Sequence, residues 1–271
     1  MNTRILRTNF LLKQLEKKFS GANMNGGGSQ LIIKDFSRIL IVSPHPDDEV
    51  IGCGGIIQKI KSNSTCEVKV CFVTIEDLRS ISKPEYNERG ENKRFEESKE
   101  AQKILGYEDA EYFLIPERTL DIPGIFKEMF LSSLKKLLFE YRPTIIFLPN
   151  HYDMNPDHRS ICREGIWLIN ELISQNNIKV EALFLYEIWG PVNATHNIVL
   201  SNEMVRLKTN AMNCYKTQLK TADYFSIIEK IQELRGGASS GDLQEGFEQR
   251  EYFEFVSTKS LSKYIIDNFQ I

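Results

Sequence analysis

The sequence predicts a Rossmann-like α/β fold: a mostly parallel sheet with helices on both faces, in three layers (α/β/α). Short apolar or alternating runs rich in Ile, Val, Leu and Phe recur at 39–42, 66–74, 111–115, 144–148 and 180–186. Between them lie longer stretches with apolar residues at helical spacing, and strands that alternate with helices build βαβ units and a parallel sheet. At 271 residues the chain has room for one large α/β domain.

Residues 2–19 carry Ile5, Leu6, Phe10, Leu11, Leu12, Leu15 and Phe19 interleaved with Arg4, Arg7, Lys13, Lys17 and Lys18, which predicts an amphipathic basic helix. Such a helix either packs on its own domain or docks on a membrane surface or a partner. Its charges interrupt the apolar core that a cleavable signal needs. The stretch containing Gly26-Gly27-Gly28-Ser29 reads as a flexible linker. The chain therefore divides into an N-terminal helix and Gly-rich linker over 1–30 and a single domain over 31–271.

Within that domain, Ile39-Leu40-Ile41-Val42 reads as a buried strand. Gly52-Cys53-Gly54-Gly55 reads as a turn that opens the helix starting at Ile56. A second strand spans 66–74, and the polar stretch 75–91 reads as a loop that can form a site wall. Residues 92–105 are helical and stop at Gly106. The third strand, 111–115, ends at Pro116, and 123–141 forms a helix with Phe126, Met129, Phe130, Leu134, Leu137 and Leu138 inward. Strand 144–148 leads through Asn150 to His158 into a helix reaching Leu172, followed by strands at 180–186 and 196–200. Ser201 caps a helix to about Thr217, the Gly/Ser-rich stretch 236–246 is a loop, 252–256 adds an edge strand, and 260–269 closes the chain as a helix.

Composition narrows the partners. Lys and Arg number 34 against 37 Asp and Glu, a formal charge of -3, so nothing calls for nucleic acid. No apolar run approaches the ~18 residues of a membrane span. Five scattered cysteines without a C-x-x-C pair read as reduced thiols of a cytoplasmic protein. A homo-oligomer is left open.

The chemistry concentrates in Pro44-His45-Pro46-Asp47-Asp48-Glu49, just after the first strand. His45 and Asp48, three positions apart, can bind one divalent ion and leave Asp47 free beside them. A third ligand must come from elsewhere, and His158 in Asn155-Pro156-Asp157-His158-Arg159 also follows a strand-like run. Two imidazoles and one carboxylate leave a coordination position open, as in catalytic sites. Zinc suits that set, and ferrous iron also binds it. Such an ion polarises an acyl carbonyl and acidifies water, which makes Asp47 the natural general base.

These motifs resemble those of the PIG-L/LmbE-like family of metal-dependent N-deacetylases, which act on N-acetylglucosamine-type groups. Further pieces match in order: Arg94-x-x-Glu97 leading to Leu105-Gly106, then Tyr186-Glu187-Ile188-Trp189, then Lys208-x-x-Ala211 running on to Tyr215 and Gln218, over about residues 37–257. The resemblance implies a zinc-dependent enzyme with an N-acetylated sugar, sugar nucleotide or glycoconjugate as substrate. It assigns metal binding to His45, Asp48 and His158, the base to Asp47 and a substrate contact to Arg94.

This chain departs from the family where many members carry a second histidine and it has Asn155. An asparagine amide can donate to an oxyanion but cannot supply a proton. Asp157, which would orient that histidine, is expected to lose its partner, and His151 or Tyr152 are candidates to compensate from the same loop. The alternatives are a catalytically weakened sugar-binding or complex-forming protein of the same fold, or an amidohydrolase for a different acyl group.

Overall fold

A computed structural model describes residues 3–19, 28–63, 65–77, 93–237 and 249–269. Most of the Gly-rich linker and most of the loops expected at 75–91 and 236–246 fall outside the described residues. In chain order the elements are α1 (Thr3–Phe19), β1 (Ser29–Gln30), β2 (Arg38–Ser43), α2 (Asp48–Asn63), β3 (Glu67–Asp77), α3 (Lys93–Leu105), β4 (Asp109–Glu117) and α4 (Ile125–Tyr141). Then come β5 (Ile145–Pro149), α5 (Pro156–Ser174), β6 (Ala182–Tyr186), β7 (His196–Val199), α6 (Asn202–Met212), α7 (Lys216–Leu219), α8 (Tyr224–Gln232), β8 (Arg250–Val256) and α9 (Leu261–Phe269).

The strands form one mixed, mostly parallel sheet in the order β1-β7-β8-β6-β5-β2-β3-β4, with β8 antiparallel to both β6 and β7. Along β2 the side chains alternate between two cores. Ile39 and Ile41 pack with α2, α3, α6 and α8 residues, whereas Leu40 and Val42 pack with α4, α5 and α9 residues. A parallel strand covered on both faces reads as such an unbroken apolar run. From β2 the chain winds one way through β3 and β4, and from β5 the other way through β6. The boundary between β2 and β5 is thus a topological switch point, where loops at the carboxyl ends of the strands open a crevice.

Several boundaries differ from the sequence expectation. Helix α2 starts at Asp48, and the glycines lie inside it. A Cβ on Gly52 would stand 2.3 Å from the Tyr186 ring, and one on Gly55 would stand 2.2 Å from Leu200, so the glycines mark close packing rather than a turn. Strand β4 runs through Pro116 to Glu117, which an edge strand tolerates because its outer N–H groups have no ladder partner. It carries a bulge with Leu114 at φ 58. Residues 252–256 belong to an interior strand, not an edge. The helix expected to reach Thr217 ends at Met212, and α7 and α8 follow it. Helix α1 lies on its own domain, with Leu15 and Phe19 in the core and Thr8 Oγ1 accepting the Asp223 N–H. Its outer side leaves Leu6 and Phe10 exposed.

Candidate metal centre

The loops after β2 and β5 deliver His45, Asp48 and His158 to the switch point. The His45 Nδ1 to Asp48 Oδ2 distance is 2.9 Å, His158 Nε2 to Asp48 Oδ2 is 3.0 Å, and His158 Nε2 to His45 Nδ1 is 3.1 Å. All three side chains are buried, His158 completely. Two imidazole nitrogens aimed at each other beside a carboxylate call for a positive charge between them. These three residues would hold a divalent cation, for which two imidazoles and a carboxylate are suitable donors. The donor set is the one group among the described residues whose ligand atoms converge for a metal.

The far nitrogen of each ring also meets a carboxylate. His45 Nε2 lies 3.3 Å from Asp157 Oδ2, and His158 Nδ1 lies 3.2 Å from Asp153 Oδ1. Such carboxylate–histidine pairs fix the tautomer that presents the other nitrogen to a metal. The electrostatics follow. Burial alone would pull His158 down, but Asp48 and Asp153 hold it up at about 9. Burial likewise opposes the proton on His45, and Glu117, Asp157 and Asp48 outweigh it, holding His45 well above its usual range. For Asp48 burial acts upward, and the two imidazoles more than reverse it.

The Pro44–Glu49 turn is tightly built. Asp47 adopts φ 123, a sparsely populated region for a residue with a side chain. Its N–H donates to Glu49 Oε2 at 3.0 Å, and Glu49 also accepts the Tyr215 hydroxyl. The Asp48 carboxylate accepts the His45 N–H at 3.0 Å. The Asp47 carboxyl is pushed well up by burial and by neighbouring Asp48, partly offset by Arg94 and His45.

The family model described as GlcNAc-PI de-N-acetylase (PIG-L) matches residues 40–168, a span that begins in β2 and contains every member of this cluster. Over those residues the chain is similar to the PIG-L family. It has the family's deacetylase-type fold and a His/Asp metal-ligand triad. The Bacillus cereus protein named probable N-acetyl-alpha-D-glucosaminyl L-malate deacetylase 2 is 22% identical over 189 residues, 67% of this chain and 83% of its own. The N,N'-diacetylchitobiose deacetylase of Pyrococcus horikoshii superposes with a TM-score of 0.62 at 19% identity, covering 93% of each chain. A 4-carboxy-2-hydroxymuconate hydratase from Pseudomonas putida also shares the fold, with a TM-score of 0.59 at 17% identity over 81% of this chain and 96% of its own. At these identities the superpositions speak for the fold alone, which hosts more than one chemistry.

The other residues singled out from sequence have specific places. Asn155 caps α5, its Oδ1 accepting the Asp157 N–H at 2.9 Å, so the amide nitrogen is its remaining donor side. Asp157 is not without a partner, as the sequence suggested. It meets His45 and accepts the Arg118 N–H at 3.0 and 2.8 Å. His151 and Tyr152 turn toward the last helix: His151 packs on Tyr264 and Phe269, and the Tyr152 hydroxyl lies 3.4 Å from Asn268 Oδ1. Burial holds His151 down at about 4, so it is neutral at ordinary pH and unsuited to supply a proton. Arg94 pairs with Glu117 and donates to Ile75 O at 2.9 Å and Pro46 O at 3.4 Å. Glu97 accepts from the Thr217 N–H and hydroxyl.

Sequence reasoning passed over Asp153, Glu117 and the buried pair Glu187–Arg235. Asp153 had a visible signal, a second acid five residues before His158 in the same loop. Glu117 had a weaker one, a carboxylate at the carboxyl end of a strand.

Proposed function

We propose that this protein is a zinc-dependent N-deacetylase that removes the acetyl group from a GlcNAc-type sugar, sugar nucleotide or glycoconjugate. The observation that carries the reading is the convergence of His45 Nδ1, Asp48 Oδ2 and His158 Nε2, with each imidazole backed by a carboxylate. When bound, a divalent ion supplies Lewis acidity to the acyl oxygen and to an attacking water. Ferrous iron suits the same donors. Asp47 is the general base: it takes the proton of the water that adds to the acyl carbon and hands it to the departing nitrogen. Burial beside Asp48 raises its proton affinity, as that task requires. The amide nitrogen of Asn155 donates to the developing oxyanion, and Asp157 holds His45 in its tautomer. Arg94, fixed between Pro46 O and Glu117, contacts the sugar. The catalytic domain spans 31–271 with residues 1–30 appended. The five unpaired cysteines suit a cytoplasmic site of action.

Acetate release from N,N'-diacetylchitobiose and other GlcNAc conjugates, with zinc added to full-length protein, tests this directly. Asp47→Asn should keep its metal and lose 10²–10⁴-fold in turnover. Absence of release from every conjugate by zinc-loaded wild type would overturn the reading. The second reading, a sugar binder with weakened catalysis, is favoured by one feature: Asn155 is committed to a helix cap and His151 to the last helix, leaving no spare imidazole at the site. Retained sugar binding without turnover would identify it.

A further inference from the structure

The two carboxylates behind the imidazoles are held differently. Asp157 is fixed by the Arg118 N–H. Asp153 stands where separate segments meet. Its Oδ1 accepts the Asn155 N–H at 2.8 Å and lies 3.2 Å from His158 Nδ1, and its Oδ2 accepts the Trp189 N–H at 2.8 Å. Trp189 belongs to the segment that leaves β6, and this segment is pressed onto the Asp153 backbone. A Cβ on Gly190 would stand 2.6 Å from Tyr152 O and 2.8 Å from Asp153 Cα. The Asn150 side chain donates to Gly190 O at 2.8 Å.

The segment is anchored from behind by a buried ion pair. Glu187 pairs with Arg235, itself 1% exposed, and accepts the Val192 N–H at 3.1 Å, while Arg235 donates to Val192 O at 2.7 Å. A continuous set of contacts therefore runs from Arg235 through Glu187 and the 187–192 segment to Asp153, and from Asp153 to a metal-ligand imidazole.

We propose that Asp153 is a positioning residue for His158, and that the segment Glu187–Val192 sets divalent-metal affinity through it without contributing a ligand. The inference rests on the metal reading of the His45–Asp48–His158 cluster. With Asp153 Oδ1 3.2 Å from its Nδ1, the buried His158 ring is biased to carry its proton on that side, which leaves the Nε2 lone pair free for a cation. N–H groups reach Asp153 on both oxygens, so an amide in its place must turn a donor toward a donor on one side. Either His158 or Trp189 then loses its acceptor. A methyl at residue 190 acts on the same carboxylate from its backbone side.

The test is Zn2+ titration of chelator-stripped full-length protein against a competing chromogenic chelator, for wild type, Asp153→Asn and Gly190→Ala. It is paired with imidazole nitrogen chemical shifts of His158 and with melting of each metal-free form. Asp153→Asn should bind zinc 10–100-fold more weakly, Gly190→Ala should weaken binding in the same direction, and the His158 Nδ1 proton signal should move in Asp153→Asn. Zinc affinities within threefold of wild type in both variants would overturn the proposal and leave the metal centre standing. Loss of cooperative melting by metal-free Asp153→Asn would mark a scaffold role and also overturn it. No zinc binding by wild type would sink the metal reading and this inference together.

Discussion

Asp47, Asp48 and Glu49 are consecutive carboxylates with distinct environments. Asp48 faces two imidazoles and stays ionised, Glu49 is buried against Tyr215 and pushed up to about 7, and Asp47 is held at φ 123 between them. An unusual backbone angle of this kind costs about 1–3 kcal/mol, which the surrounding hydrogen bonds must offset. His158 gives this scale a pH signature. Burial disfavours its charge, yet Asp48 and Asp153 hold its folded value at about 9, above the usual 6.5. In the metal-free protein, folding therefore favours the protonated ring. That contribution is complete below pH 6.5 and is lost as pH rises through about 9. An incoming cation must displace the same proton, so zinc affinity should climb over this window while metal-free stability falls. Chemical denaturation with chelator and zinc titration, each at stepped pH, check both halves; a flat profile in either would contradict this placement of His158.

At the scale of elements, much was legible and the misses share a cause. Strands β2, β5 and β6 are runs such as Ile39-Leu40-Ile41-Val42 that have to be buried on both faces, so their period and extent show in the sequence. The ligand trio was legible too, because His45 and Asp48 share one loop and His158 follows another strand end. Glycines misled where packing, not turn chemistry, demanded them: Gly52 inside α2 leaves room for the Tyr186 ring, whose hydroxyl donates to Val42 O at 2.8 Å. Glu97 and Lys208 could not be placed because their partners are remote. Thr217 donates to Glu97, and Glu251 pairs with Lys208 at 2.7 Å. Gly52→Ala tests the packing account. Alanine is the better helix former by ~1 kcal/mol, but the added methyl must displace Tyr186 or the Glu187 carbonyl. A net loss of about 1–3 kcal/mol is expected in urea denaturation, and a gain would show that the helix has slack there.

For the molecule as a whole, the sheet order explains why one crevice gathers the chemistry. Winding in opposite directions from β2 and β5 brings two loops, 113 residues apart between His45 and His158, together at the carboxyl ends of two central strands. The three-layer fold is shared with enzymes of different reactions, so the fold by itself does not name the chemistry, which has to be argued from the residues of the site. None of the described helices is long and apolar enough to cross a membrane. The most direct measurement is the metal content of chelator-stripped protein re-equilibrated with zinc, for wild type beside Asp48→Ala. Wild type should take up about one ion per chain and Asp48→Ala essentially none, because removing the carboxylate leaves only two protein ligands. Equal uptake by both would contradict the centre described above.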